Sequence, residues 1–353
     1  MDAKTIGSKF IEKHGDIDRA GSSVVRGWRA LEFLVLAKPR IMALAVFTAL
    51  VGLSRAPDRL GPLATLAAVL AIAAGAAAAG VLNMWYDADI DAVMTRTAMR
   101  PIPRGRVSRF EALVFGLVLG AFAVILLALS TNVTAAALLA GTIFFYIVVY
   151  TVWLKRTTPQ NIVIGGAAGA LPPVIGWAAA TGDVGLEPLT LFLMIFLWTP
   201  PHFWALALNR ANDYARAGVP MLPVVAGHPA TARQILIYSG LLICASELPW
   251  VLGFAGAMYG AIAAICGAFF LLLADRINRS AGADRRAAHR LFLFSIFYLF
   301  ALFAALLIEH GNGLPSTLSS SHDGRFAQSA HAEPAPGAAR TANSFIDFCT
   351  SEV

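Results

Sequence analysis

Charge is scarce in this chain. Asp, Glu, Lys and Arg make up 14% of its 353 residues, whereas 58% are hydrophobic. That balance leaves too few polar side chains to cover a soluble globule, so an ordinary water-soluble core is excluded. Cysteine is nearly absent. Cys244, Cys266 and Cys349 follow no metal-ligand or pairing pattern, which excludes a disulfide framework and a structural zinc site. The first 28 residues contain Asp2, Glu12, Asp16 and Asp18, so they lack the acid-poor character of an organellar transit peptide, and no short apolar stretch there reads as a cleaved signal. The expectation is a bacterial chain without either. The glycine-rich run Gly165–Pro173 has no Lys-Ser/Thr ending and lies in apolar sequence, so it is not a phosphate loop. Its small residues are expected to let helices approach closely.

What the chain has is long apolar sequence. A membrane-crossing helix needs about 20 predominantly apolar residues. Nine stretches qualify: 31–54, 60–86, 110–130, 132–153, 160–181, 187–208, 232–255, 257–275 and 289–309. The expected fold class is therefore all-α, a polytopic membrane protein of about nine transmembrane helices. Residues 30–310 form its membrane domain. A cytoplasmic segment 1–29 precedes them, and a disordered tail 311–353, rich in Ser, Ala, Pro and Gly, follows.

The basic residues set the orientation. They collect in the N-terminal segment, in the loop after the second span (Arg96, Arg100, Arg104, Arg106, Arg109), at Lys155 and Arg156, at Arg210, Arg216 and Arg233, and between Arg276 and Arg290. The alternate loops hold little beyond Arg55 and Arg59. Positive residues accumulate on the cytoplasmic side, so the N-terminus and the polar motifs are expected there, at a bacterial inner membrane. This topology accounts for the net charge of +6 without a nucleic-acid partner.

One polar motif stands at the end of the second span. Asn83, Asp87 and Asp91 are four residues apart, and a step of four moves only about 40° round a helix, so their oxygens share a face. Ionisable groups at a membrane are costly and mark functional sites. Hard oxygen donors suit magnesium, whose octahedral shell is usually completed by water and substrate phosphate. Arg96, Arg100 and Arg104 follow immediately and offer fixed charge to phosphate oxygens. A helix end with solvated charges is the bland alternative, but three oxygen donors in register followed by Arg100-Pro-Ile-Pro-Arg104 favour a cation that holds a phosphorylated substrate.

A second polar segment follows the sixth span. Asn209 and Asp213 are again four apart, with Arg210 and Tyr214 beside them, and Asp213 reads as a further metal ligand once the first motif is present. Lys155 and Arg156 end the fourth span, and Lys38 and Arg40 begin the first. Ordinary positive-inside anchoring explains Lys38. Lys155 and Arg156 equally suit stabilisation of a departing diphosphate. His202 lies in Trp198-Thr-Pro-Pro-His-Phe-Trp204, where Pro200 and Pro201 are expected to break the helix at a cavity. It is either a satisfied core histidine or, with a haem substrate, an axial ligand to iron.

Together these segments resemble the membrane-embedded prenyltransferases that condense isoprenoid diphosphates with aromatic acceptors, and within them the branch that farnesylates protoheme IX. The resemblance rests on Ala37–Arg40, Asp87–Gly105, Leu154–Gly166, Thr199–Leu208 and Asp213–Gly227, and spans residues 30–310. It implies helices bundled around a central cavity open to the bilayer, with Mg2+ as cofactor, and haem b and farnesyl diphosphate as substrates. The implied products are haem O and diphosphate, with a haem A synthase or oxidase-assembly factors as partners. Asp87, Asp91, Lys155 and Arg100 would then be catalytic. Asn83, Arg96, Arg104, Arg156, Arg210, Asp213, Tyr214, His202 and Arg40 would bind substrate, and Asn83, Asp87, Asp91 and Asp213 would hold metal. The superfamily often has two acidic residues in the second motif. Here Asp213 is flanked only by Asn209 and Asn212, which leaves the metal count open. A sibling enzyme acting on 4-hydroxybenzoate shares the aspartates, and a transporter remains the rival from another class.

Overall fold

A computed structural model describes residues 31–311, with the side chains of Arg40, Ile41, His310 and Gly311 excepted. The expectations for the segment 1–29, for Arg40 and for the tail beyond residue 311 lie outside the described residues. Those residues form helices and connecting turns and contain no strand. We label the helices α1 (Pro39–Arg55), α2 (Pro62–Tyr86), α3 (Ala88–Val93), α4 (Arg109–Ser130), α5 (Val133–Thr157), α6 (Asn161–Thr181), α7 (Leu186–Asn209), α8 (Ala211–Arg216), α9 (Leu222–Val225), α10 (Gly227–Val251), α11 (Ala257–Arg279) and α12 (Arg285–Gly311).

Eight of these, α2, α4–α7 and α10–α12, are long and apolar enough to cross a bilayer. The ninth expected span is not continuous. Residues 31–36 are helical, Lys38 has φ 52° and ψ 56°, and a new helix begins at Pro39. Proline at the first helical position has no N–H to lose, and it disfavours helical geometry in the residue before it, so Ala37-Lys38-Pro39 breaks the span. The short connection at residues 130–132 does separate two spans. Asn132 caps α5 by accepting a hydrogen bond from the Ala135 N–H at 2.9 Å.

The expectation for Pro200 and Pro201 is corrected. Helix α7 runs through both prolines from Leu186 to Asn209. Trp198, Thr199, Pro200, Pro201 and His202 are all buried, and a proline inside a helix is tolerated where neighbouring helices enclose it. The interruption occurs in α6 instead, where Leu171-Pro172-Pro173 divides Asn161–Ala170 from Pro172–Thr181. Close packing pins that second half. A Cβ on Gly176 would overlap the Ala49 carbonyl of α1, and one on Gly52 would overlap that of Pro173. In the glycine run itself, a Cβ at Gly165 would collide with the Tyr150 ring, and one at Gly166 would meet Thr199 at 3.0–3.1 Å. The expected close helix approach is therefore observed.

Two large apolar clusters carry the bundle. One joins α7, α10, α11 and α12 around Trp204, Tyr259, Phe270, Tyr298 and Phe303. The other joins α1, α2, α4, α5 and the second half of α6 around Ile72, Leu127, Leu139 and Ile175. The polar motifs emerge at one end of the bundle, where α2, α5 and α7 end and α6 begins.

Candidate functional site

The acidic motif keeps its helical register across a helix end. Asp87 caps α2, and the backbone continues with Asp87 N–H donating to the Asn83 carbonyl (3.0 Å) and Asp91 N–H to that of Asp87 (2.8 Å). Asn83, Asp87 and Asp91 therefore face the same side, and all three are buried. Asp89 points away from them and is 56% exposed.

Asp87 is fully buried. Its Oδ2 accepts from Asn83 Nδ2 at 2.7 Å and from the Lys155 ammonium. Its Oδ1 has no hydrogen-bond donor, and the Arg156 guanidinium lies 3.6 Å from it. Asp91 accepts from Arg100 at 2.6 Å, and its carbonyl is held by the Thr97 hydroxyl at 3.0 Å. Arg156 also makes a two-pronged pair with Asp89 at 2.8 Å and lies 4.8 Å from the centre of the Tyr86 ring. The Arg156 guanidinium holds the Asp89 carboxyl down at about 2.

An unusual stretch of backbone delivers Lys155. Residues Phe145–Leu154 of α5 are π-helical, a form that is rare and recurs at functional sites. Within it the Thr151 hydroxyl donates to the Tyr146 carbonyl five residues back (2.8 Å) and accepts from Asn83 Nδ2 (3.1 Å). The wider turn thus aims Thr151 at Asn83 and ends with Lys155 at Asp87. The side chain of Tyr150 lies within electrostatic reach of Asp87, Arg96 and Tyr214, which ties both polar motifs to this helix.

The second motif meets the first through the arginine loop. Asp213 is buried; its Oδ1 accepts from Thr95 at 3.2 Å and from Arg216, and its Oδ2 lies 4.0 Å from Arg210. Beneath this contact, Ile90 and Met94 pack with Ile162, Tyr214, Val219 and Met221 in one apolar cluster. The two motifs consequently form one site at one end of the bundle. A transporter path would want its polar groups near the midplane.

Among the expected residues, Asn83, Asp87, Asp91, Arg100, Lys155 and Arg156 converge directly, and Asp213, Tyr214 and Arg210 flank them. Arg96 and Arg104 are exposed on the loop and form no ion pair among the described residues. His202 is elsewhere. It is buried between α7 and α12, stacked on Trp198 (4.2 Å between ring centres) and Phe292 (4.8 Å), with Nδ1 2.6 Å from the Ser295 hydroxyl. The anchoring role given to Lys38 leaves out its principal contact, since Nζ donates to Asn83 Oδ1 at 3.2 Å. Thr95, Thr151 and Arg216 were not expected. Thr95 and Arg216 lie within the motif segments, whereas nothing in the spacing of Thr151 points to Asn83.

The donor set fits a magnesium ion bound together with a substrate. Asp87 Oδ1 is a buried carboxylate oxygen without a donor, and Asp91 and Asn83 add hard oxygens on the same face. No group of three Asp, Glu, His or Cys side chains among the described residues is close enough to hold a metal alone. Asp87, Asp91 and Asp213 are therefore not gathered as one three-carboxylate set, and water and phosphate oxygens would have to complete the shell of an ion held there.

Comparison with known proteins agrees with this arrangement. The sequence pattern of the UbiA prenyltransferase family matches residues 45–307. A protein of Rhodopseudomonas palustris (strain BisB5) named protoheme IX farnesyltransferase is 60% identical over 280 residues, 79% of this chain and 90% of that protein. Another of that name from Parvibaculum lavamentivorans is 59% identical over 290 residues, 82% of this chain and 91% of the relative. In fold, the chain is similar to a digeranylgeranylglyceryl phosphate synthase (TM-score 0.67, 19% identity, 80% of this chain and 98% of that one). It is also similar to a UbiA homologue from Archaeoglobus fulgidus solved with DMAPP and Mg2+ (TM-score 0.61, 17% identity, 78% and 99%). With residues 45–307 matched by the family and relatives near 60% identity covering most of its length, the chain belongs to the UbiA prenyltransferase family.

Proposed function

We propose that this protein transfers the farnesyl group of farnesyl diphosphate to a vinyl group of haem b, yielding haem O and diphosphate. The observation that carries the chemistry is the buried pair Asp87 and Asp91, opposed by Lys155, Arg156 and Arg100. The identity to curated farnesyltransferases supports the acceptor and disfavours 4-hydroxybenzoate.

The C1–O bond of farnesyl diphosphate breaks, and its electron pair leaves with diphosphate. The terminal vinyl carbon of haem then bonds to C1, and water adds to the neighbouring carbon with loss of a proton. This chain's residues serve the first event. Lys155, Arg156 and Arg100 stand beside the leaving oxygens and stabilise charge as it develops, in a buried setting where such interactions are strong. Asn83, held by Lys38 and Thr151, fixes the orientation of Asp87. Bound magnesium, held by Asp87 and Asp91 with Asn83 and Asp213 nearby, would supply Lewis-acid neutralisation of the diphosphate. Both substrates are largely apolar, and a site among membrane helices limits water that would quench the allylic cation.

The multi-spanning chain is assigned to a bacterial inner membrane, with N-terminus and site toward the cytoplasm. The basic residues around the motifs support that orientation. Its product would pass to a haem A synthase or an oxidase-assembly partner. The test is a product assay on membranes containing the chain, supplied with haem b, farnesyl diphosphate and magnesium, with EDTA as control. A magnesium-dependent farnesylated haem by mass is expected. Release of diphosphate with phenolic acceptors alone would move the acceptor assignment.

A further inference from the structure

A second cleft lies at the same end of the bundle, between the end of α7 and the start of α12. It has a volume of about 580 Å³ and is lined by Arg210, Arg285, Arg286, His289, Arg290 and Phe292, among others. Arg285, Arg286 and Arg290 are exposed and pair with no carboxylate among the described residues. The wall is held in place. Asn209 Nδ2 donates to the Arg285 carbonyl at 3.3 Å, and Asp284 caps α12 by accepting from the Ala287 N–H at 2.9 Å. Two near-parallel rings, exposed His289 and half-buried Phe292, are among the lining residues of the cleft. His289 stacks toward Phe292 (6.5 Å), and Phe292 stacks on His202. Arg210 joins this cleft to the diphosphate site, because it also faces Asp213 at 4.0 Å.

Several guanidiniums lining one cleft with two near-parallel aromatic rings fit a planar, apolar molecule with two carboxylates on one edge. Arginine recognises carboxylates through paired N–H donors, and its charge is not lost on burial. We propose that this cleft holds the propionate edge of the haem acceptor, with Arg286 and Arg290 as its principal partners. This assignment rests on haem being the acceptor. Ordinary positive-inside anchoring explains why arginines occur at this end, but not their gathering with His289 and Phe292 round one cleft beside Asp213. The position also suits the reaction: with its propionates on Arg286 and Arg290, the porphyrin extends past Arg210 toward the site where the farnesyl group is released.

The test is a haem titration of the full chain in nanodiscs, followed by Soret absorption, comparing wild type with the Arg286→Gln/Arg290→Gln variant. Both residues are exposed, and retained binding of farnesyl diphosphate reports an intact fold. The variant is expected to bind haem at least about tenfold more weakly. Haem dimethyl ester, whose propionates carry no charge, should bind wild type and variant alike. Unchanged haem affinity in the variant overturns the proposal. So does a variant that keeps its haem affinity but loses co-purifying anionic phospholipid, which would assign the cleft to a lipid headgroup. Equal loss of haem and farnesyl diphosphate also overturns it, by making these arginines part of the donor site or the fold. If wild type binds no haem yet consumes farnesyl diphosphate with a phenolic acceptor, the acceptor reading itself fails and takes this one with it.

Discussion

Buried charge occurs at both ends of this bundle, in two different conditions. At the end away from the aspartates, Arg55 pairs with Glu187 at 2.6 Å and donates to the Phe254 carbonyl. There Glu309 accepts from the N–H groups of Gly256 and Tyr259, both at 2.8 Å, so each of its oxygens is used. At the other end Asp87 keeps an oxygen without a donor, although Lys155 reaches its Oδ2 and Arg156 lies 3.6 Å from its Oδ1. A satisfied charge joins helices. A buried carboxylate with an unused oxygen is costly to fold and is retained where a ligand completes it.

Substitutions can break or sharpen this contrast. The largest effect is expected at Asp87. Asp87→Ala should lower haem O formation by at least about 10²–10³-fold, while the amount of membrane-inserted protein stays normal by immunoblot. Full activity in that variant would remove the diphosphate reading. At the opposite end, Glu187→Ala leaves the half-buried Arg55 with only the Phe254 carbonyl and should cost about 1–3 kcal/mol. Thermal unfolding in detergent should show that loss, with turnover per folded molecule preserved; lost turnover at unchanged stability would erase the contrast. An intermediate effect is expected at the second motif. Asp213→Asn should reduce turnover roughly tenfold, because Thr95 and Arg216 still hold the side chain while its charge is gone. A loss as large as that of Asp87 would instead place both aspartates on one metal.

The smallest effect belongs to the exposed pair of Arg156 and Asp89. Asp89→Asn should change stability by less than about 1 kcal/mol. Its pH dependence has a defined sign. The folded carboxyl is depressed to about 2 from an ordinary 3.8, so the pair contributes fully above that ordinary value and is lost as pH falls through about 2. Unfolding midpoints of wild type and Asp89→Asn should therefore converge in strong acid, and a gap that widens there would contradict the pairing.

The membrane class and the first motif were legible because each depends on local spacing. Apolar length announces spans, and a period of four announces one helix face. The break at Lys38 was legible in Lys38-Pro39-Arg40, which interrupts the apolar sequence, but the length of the apolar stretch on both sides outweighed that local signal. The continuity of α7 through Pro200 and Pro201 was hidden for the converse reason, since a local rule about proline yields to burial by neighbouring helices. Lys38 looked like an anchor because its partner, Asn83, lies 45 residues away.

By itself the sequence determined how many apolar segments this protein has, which of their ends carry charge, and that Asn83, Asp87 and Asp91 share a face. Those properties follow from residue type and helical period, which act over a few residues. Only the tertiary structure decided that Lys155 reaches Asp87 through a π-helical turn, that Thr95 closes on Asp213, and that His202 lies against Ser295. Such contacts join residues 68 to 118 positions apart, and depend on how whole helices are brought together.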